Sequence, residues 1–287
     1  MAQHAAKHGA PAPCAYEVAG HPDGPTLAFI HGWPDDARLW RAQVAALGDR
    51  FRCVLVTLPN FGAHAEKTGG FDFPDVVARL AATIREVQPH GPVGLVTHDW
   101  GAYLGYLLDQ AHPGLVSRMV ALDVGGHLGR PGLKTALMVI GYQWSLIAAW
   151  LLGGVIPPLG DRLARAVGRV VRVPAPQRAR IRSRFGYLYY YFWRDQLLPW
   201  KRAGLLRGYR PNAPLLYLWG ERKPLQFHSP RWLEIVAASG GRAEGVADAG
   251  HWLMETHAAL VNERIEAWNA DRKPTTATSD PPRSDAN

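Results

Sequence analysis

The sequence predicts an α/β domain: a mostly parallel sheet flanked by helices, with a helical segment inserted into it. Three observations carry this reading. Short apolar runs bounded by turn residues alternate with helical patterns through the first half of the chain. The stretch 125–212 then holds helix-like patterns and no convincing strand, and beyond it the alternation of strand and helix resumes. The length, 287 residues, suits one large domain better than two small ones.

Taken in order, Thr26–Ile30, 52–58, 93–97 and 118–123 read as short buried strands, because each is a largely apolar run closed by turn residues. Segments 75–87 and 103–110 lie between them with apolar residues at helical spacing. The second set comprises a strand at 214–219, a helix at Pro230–Ala238, a strand near 243–247 and a last helix at 255–270. The chain therefore divides into a sheet core (14–124 and 213–270), a helical cap (125–212) and flexible termini (1–13 and 271–287). The last of these is rich in Pro, Ser, Thr and charge.

Composition narrows the function classes. With 47% hydrophobic and 20% charged residues and 11 tryptophans, the chain is that of a folded globular protein. Residues 1–13 lack the apolar centre of a signal peptide. Cys14 and Cys53 are too few for a disulfide framework, so a cytoplasmic setting is expected. No metal-ligand or nucleotide-binding spacing occurs, and neither metal nor cofactor is expected.

The net charge of +8 raises the question of an anionic partner, and its position matters more than its total. Arginines crowd the stretch 162–184, partly at helical spacing. They read first as a solvated helix face, second as a contact with an anionic membrane. A nucleic-acid partner is not expected, since no nucleic-acid motif accompanies them. Next to them, 135–160 carries no charge and is long enough to raise the question of a membrane span. Gly141, Gly153, Gly154 and the Pro157-Pro158 pair interrupt it, and Gln143 and Ser145 sit inside it. The expectation is a buried cap helix lining an apolar substrate tunnel.

The sharpest chemical signal is Leu95-Val96-Thr97-His98-Asp99-Trp100-Gly101-Ala102. An apolar strand, an abrupt turn and small residues opening a helix have the shape of a nucleophile elbow, which lifts one side chain above the sheet. Asp99 stands at the turn, where a lone aspartate could equally serve as a helix cap. Two further motifs support a catalytic reading. His31-Gly32-Trp33-Pro34-Asp35 follows a strand, and Asp248-Ala249-Gly250-His251-Trp252 stands between the last strand and the last helix.

With these motifs the sequence resembles the α/β-hydrolase superfamily, and within it the epoxide hydrolases and haloalkane dehalogenases, over residues 14–270. The resemblance implies an α/β-hydrolase fold, with Asp99 as nucleophile and His251 as the base that activates water. It also implies an oxyanion hole from the Trp33 and Trp100 backbone N–H groups, and a cis peptide before Pro34. Where many relatives carry the third triad member, this chain has Lys223, so the acid is assigned to Asp123 at the end of the strand after the elbow helix, with Glu221 in reserve. Cap tyrosines are implied as proton donors to an opened epoxide: Tyr142, and from the Tyr187–Tyr191 cluster, Tyr191. The substrate expected is an apolar epoxide, opened to a diol. A haloalkane dehalogenase is the alternative, though Trp33 replaces that group's usual Asn; a noncatalytic relative binding a ligand or membrane is the other.

Overall fold

Strands buried on both faces alternate with amphipathic helices in the core. The computed structural model describes residues 11–129, 132–198, 200, 205–223 and 225–270. Its strands are β1 (Ala15–Gly20), β2 (Thr26–Ile30), β3 (Arg52–Thr57), β4 (Val93–His98), β5 (Val116–Leu122), β6 (Leu215–Gly220) and β7 (Arg242–Val246). They form one sheet in the order β1-β3-β2-β4-β5-β6-β7. β1 pairs antiparallel with β3, and the remaining pairs are parallel. Every residue of β2 and of β4 is buried, as expected for central parallel strands covered on both sides.

Helices α1 (Arg41–Leu47), α2 (Phe73–Val87) and α3 (Trp100–Ala111) connect the first strands. α4 (Leu133–Val155), α5 (Pro157–Val170), α6 (Ala175–Arg180) and α7 (Tyr187–Leu197) lie between β5 and β6, and α8 (Pro230–Ala238), α9 (Leu253–Thr256) and α10 (Ala258–Ala270) complete the chain. The period of two in β2 serves both layers: Ala28 and Ile30 pack with Val76 and Leu80 of α2, whereas Leu27 and Phe29 pack in the layer of Val261 and Ile265 of α10. α2 begins where Asp72 accepts the Asp75 N–H at 3.1 Å, with Pro74 in the first turn.

The sheet and its helices agree in type with the sequence reading, with four differences. β1 went unread because it is an edge strand with most residues exposed, and so shows no apolar alternation. α1 was likewise passed over. The last helix is broken at His257 into α9 and α10. The largest difference concerns α4, expected to be buried. Only Leu146, Ile147 and Ala149 are buried in it, while Leu133 and Val155 are 76% and 81% exposed. One face packs on α5 and α7 and no described residue covers the other, a distinction that an uncharged composition does not encode. The termini 1–10 and 271–287 lie outside the described residues.

α3 fastens both legs of the insert. The departing chain is held by Tyr106, whose hydroxyl donates to the Val124 carbonyl at 2.8 Å. The returning chain is held by the buried Asp109 carboxylate, which accepts the Tyr209 hydroxyl at 2.7 Å and the backbone N–H groups of Asn212 and Ala213 at 2.8 and 3.2 Å.

Candidate active site

Asp99 sits between β4 and α3 with φ 56° and ψ −123°, a backbone conformation that a non-glycine residue adopts only under constraint from its surroundings. Its side chain makes no capping bond to α3, so the helix-cap reading fails. Instead Oδ1 accepts the Trp33 N–H at 2.7 Å, and the Trp100 N–H adds to the electrostatic pull on the carboxylate. Two missing side chains make this approach possible. A Cβ on Gly32 would strike the Asp99 carboxylate, and one on Gly101 would strike the Ile30 and His31 carbonyls. The Trp33–Pro34 peptide is cis.

Parallel strands bring the other groups to the same sheet edge. Asp123 follows β5, the neighbour of β4, with φ 72°, and His251 lies on the loop after β7. Asp123 Oδ2 lies 2.5 Å from His251 Nδ1, so Nδ1 carries the proton and Nε2 is free as a base; Nε2 is 3.6 Å from Asp99 Oδ2. The other Asp123 oxygen accepts the Gly220 N–H at 3.1 Å and pairs with the Lys223 ammonium. Lys223 thus stands on the far oxygen of the acid. Glu221, the reserve acid, is exposed, and its carboxylate lies against Gly245.

Charge follows from this arrangement. Burial raises the Asp99 carboxyl above its ordinary value, against the pull of His251 and the Trp100 and Trp33 N–H groups. Burial also works against ionising Asp123, but the hydrogen bond and charge of His251, followed by Lys223, outweigh it and hold that carboxyl low. For His251, burial opposes the imidazolium, yet Asp123 and then Asp99 overcome it and raise the imidazole above its usual value, with Lys223 working in the other direction.

Buried histidines and an aspartate hold the loops. Leu58 N–H donates to His31 Nε2 at 3.1 Å, so Nδ1 is the protonated nitrogen and donates to the Gly32 carbonyl at 3.0 Å. Burial pulls this imidazole down to about 4, which keeps it neutral. His98 Nε2 reaches the His251 carbonyl at 3.0 Å. Asp35 accepts the Trp252 indole N–H at 3.0 Å, tying the loop after β2 to the histidine loop; burial pushes its carboxyl up to about 7. The sequence reading gave these three no individual role. Their signal was membership of the same short motifs.

Above the carboxylate lies a cavity of about 1170 Å³, lined mainly by apolar side chains from the core loops, α4, α5 and α7. Tyr142 lines it; its hydroxyl accepts a contact from Gln143 Nε2 at 3.3 Å, and burial pushes its pKa up to about 12. Tyr191 does not line it. Its hydroxyl donates to the Gly69 carbonyl at 2.8 Å, and Tyr189 lines the cavity in its place. Two residues along a helix turn the side chain by about 200°, to the opposite face. Tyr189 packs edge-on against Trp33 and Trp100. Among the described residues no group of three or more His, Cys, Asp or Glu is arranged to hold a metal.

Comparisons with known proteins agree with this architecture. The chain is 34% identical over 161 residues to a Mycobacterium tuberculosis protein named "Probable oxidoreductase EphD", a match covering 54% of this chain and 24% of that protein. It is 30% identical over 131 residues to the soluble epoxide hydrolase of a Corynebacterium species, covering 43% of this chain and 44% of the relative. The chain thus spans less than half the length of these curated relatives. The crystal structure of epoxide hydrolase VrEH1 from Vigna radiata superposes with a TM-score of 0.65 at 17% identity, covering 90% of this chain and 94% of that one. A model of the alpha/beta hydrolase family matches residues 27–264. Sheet order, elbow and family match lead to one statement: the chain belongs to the alpha/beta hydrolase family.

Proposed function

We propose that the protein hydrolyses an apolar epoxide to a diol through a covalent ester on Asp99. One observation carries this reading: across a mainly apolar cavity, the Asp99 carboxylate on the floor shares the space with two cap tyrosines, Tyr142 and Tyr189. Oδ1 is held by the Trp33 N–H, which leaves Oδ2 to attack a ring carbon in line. As the Oδ2–carbon bond forms, the ring C–O bond breaks and a tyrosine O–H protonates the leaving alkoxide. His251 Nε2 then takes a proton from water, which attacks the ester carbonyl, and negative charge develops on Oδ1 beside its N–H donors. Collapse releases the diol and restores the carboxylate, and the imidazolium proton returns to the tyrosinate. In this reading residues 125–212 form the cap over a core of 14–124 and 213–270.

The cavity volume, somewhat above the usual range for ligand pockets, supports an extended apolar substrate. Halide release needs free N–H donors, and the Trp100 ring is packed edge-on against Tyr189. Trp33 Nε1, however, is buried without a partner among the described residues, so bromoalkanes belong in the same substrate screen. Free, buried Cys14 and Cys53 support a reducing, cytoplasmic setting.

The test is a single turnover in H₂¹⁸O with excess enzyme, followed by peptide mass analysis. Label is expected in the Asp99 carboxylate, with the first-turnover diol unlabelled. Label entering that diol directly would sink the ester mechanism, bromide release without diol formation would favour a dehalogenase, and thermal stabilisation by ligands without any turnover would leave a binding protein.

A further inference from the structure

We propose that the outer face of α4, with the arginines of the adjoining α5, docks the protein on an anionic lipid bilayer beside the cavity opening. The exposed residues Leu133, Leu137, Ile140, Trp144, Leu151 and Val155 recur every three or four positions, with exposed Ala148 completing the series. At 3.6 residues per turn they occupy one wedge of about 80°. α4 is long and apolar enough to cross a membrane, but its other face packs through Leu146, Ile147 and Ala149. One apolar face on a helix held by its neighbours suits immersion in the plane of a bilayer surface, not a span.

Charge identifies the surface. The apolar face continues through exposed Ile156 and Leu159 into α5, whose own outer side carries Arg162 and Arg169. Together with Arg165 and Arg178 these line a surface pocket of about 290 Å³. The acidic residues of 133–198 are Asp161 and Asp195, and both are already paired with neighbouring arginines. Among the described residues Arg162, Arg169 and Arg172 have no carboxylate partner. Apolar surface beside uncompensated arginine complements anionic headgroups over acyl chains. A second copy of the chain placed on α4 would instead bring two arginine sets together.

The cavity wall reaches the surface of the cap beside Arg169. Met138 and Val170 both line the cavity and are 51% and 79% exposed, so the wall emerges between α4 and the end of α5. If the cavity is the substrate site, an apolar substrate dissolved in the bilayer meets the opening without crossing bulk water. The docking itself does not depend on that reading.

The test uses the full chain carrying Leu137→Cys, labelled with an environment-sensitive fluorophore; Cys14 and Cys53 are 2% and 0% exposed, which leaves the introduced thiol as the reactive one. Vesicles of phosphatidylcholine with phosphatidylglycerol are expected to shift the emission to the blue and to sediment the unlabelled native chain, at low more than at physiological salt. Phosphatidylcholine vesicles are expected to do neither. R162Q/R169Q should lower partitioning roughly thirtyfold, from about 1 kcal/mol per arginine near an anionic surface. Equal partitioning onto neutral and anionic vesicles overturns the proposal, as does binding to neither. A blue shift that follows protein concentration alone, with a dimer in sedimentation equilibrium lost in Leu137→Gln, assigns the face to a second copy.

Discussion

The floor and the roof of the cavity are held in different ways. On the floor, Asp123 uses both oxygens, one toward His251 and the other toward Gly220 and Lys223, and Asp99 is held by the Trp33 N–H at a constrained elbow. On the roof, the Tyr142 hydroxyl has a single hydrogen-bonding contact among the described residues, at 3.3 Å, and the outer stripe of α4 is exposed. Backbone geometry and buried ion pairs thus fix Asp99, His251 and Asp123, the groups proposed to make and break bonds, while side-chain packing arranges the wall of the cavity above them. Such a division lets the cap vary without disturbing the reacting atoms.

Changes on the floor are expected to outweigh changes on the roof. His251→Gln should cut turnover by about 10³-fold while ester formation on Asp99 persists, so that rapid-quench peptide analysis finds the ester accumulating. Loss of both steps together would mean that His251 holds the floor together and is not only a base. On the roof, Tyr189→Phe should slow ester formation by roughly 10²-fold, and Tyr191→Phe should leave it unchanged. The reverse ranking in single-turnover rates would return the donor role to Tyr191. The smallest effect is a displacement along the pH axis. The base must be neutral to act, and His251 is raised, so ester hydrolysis should climb with pH through a midpoint above the ordinary imidazole value of 6.5. Lys223 pulls that midpoint down, and Lys223→Met should move it upward. A midpoint that moves down would mean that Lys223 acts chiefly by holding Asp123 in place.

What could be read from the sequence follows the same divide. The sheet class and the juxtaposition of Asp99, His251 and Asp123 rest on local strings, in which a strand, a turn and a small residue fix where a side chain points. Lys223 was read as a cation opposed to the imidazolium. Its amine lies across Asp123 from the imidazole, a fact of three-dimensional placement that spacing along the chain does not carry. Tyr189 and Tyr191 were indistinguishable by residue type, and only the packing of α7 decides which one enters the cavity. The exposure of α4 was hidden for a related reason, since an apolar helix reads alike whether protein or something else covers it.

The double attachment of the insert to α3 bears on how this protein could be rebuilt. Its 12 residues form a rod of about 18 Å, with Asp99 just before one end and Asp109 in the turn at the other. Tyr106 and Asp109 grip the two roots of the insert, so the rod that follows Asp99 also carries the mounting points of the roof above it. A foreign roof grafted between β5 and β6 would need a hydroxyl where Tyr209 stands and backbone N–H groups where Asn212 and Ala213 present theirs. Without them the Asp109 carboxylate would be left buried and unanswered, at a cost of roughly 3–5 kcal/mol. The natural unit of exchange is therefore the roof without its returning leg, which stays with the α3 it answers.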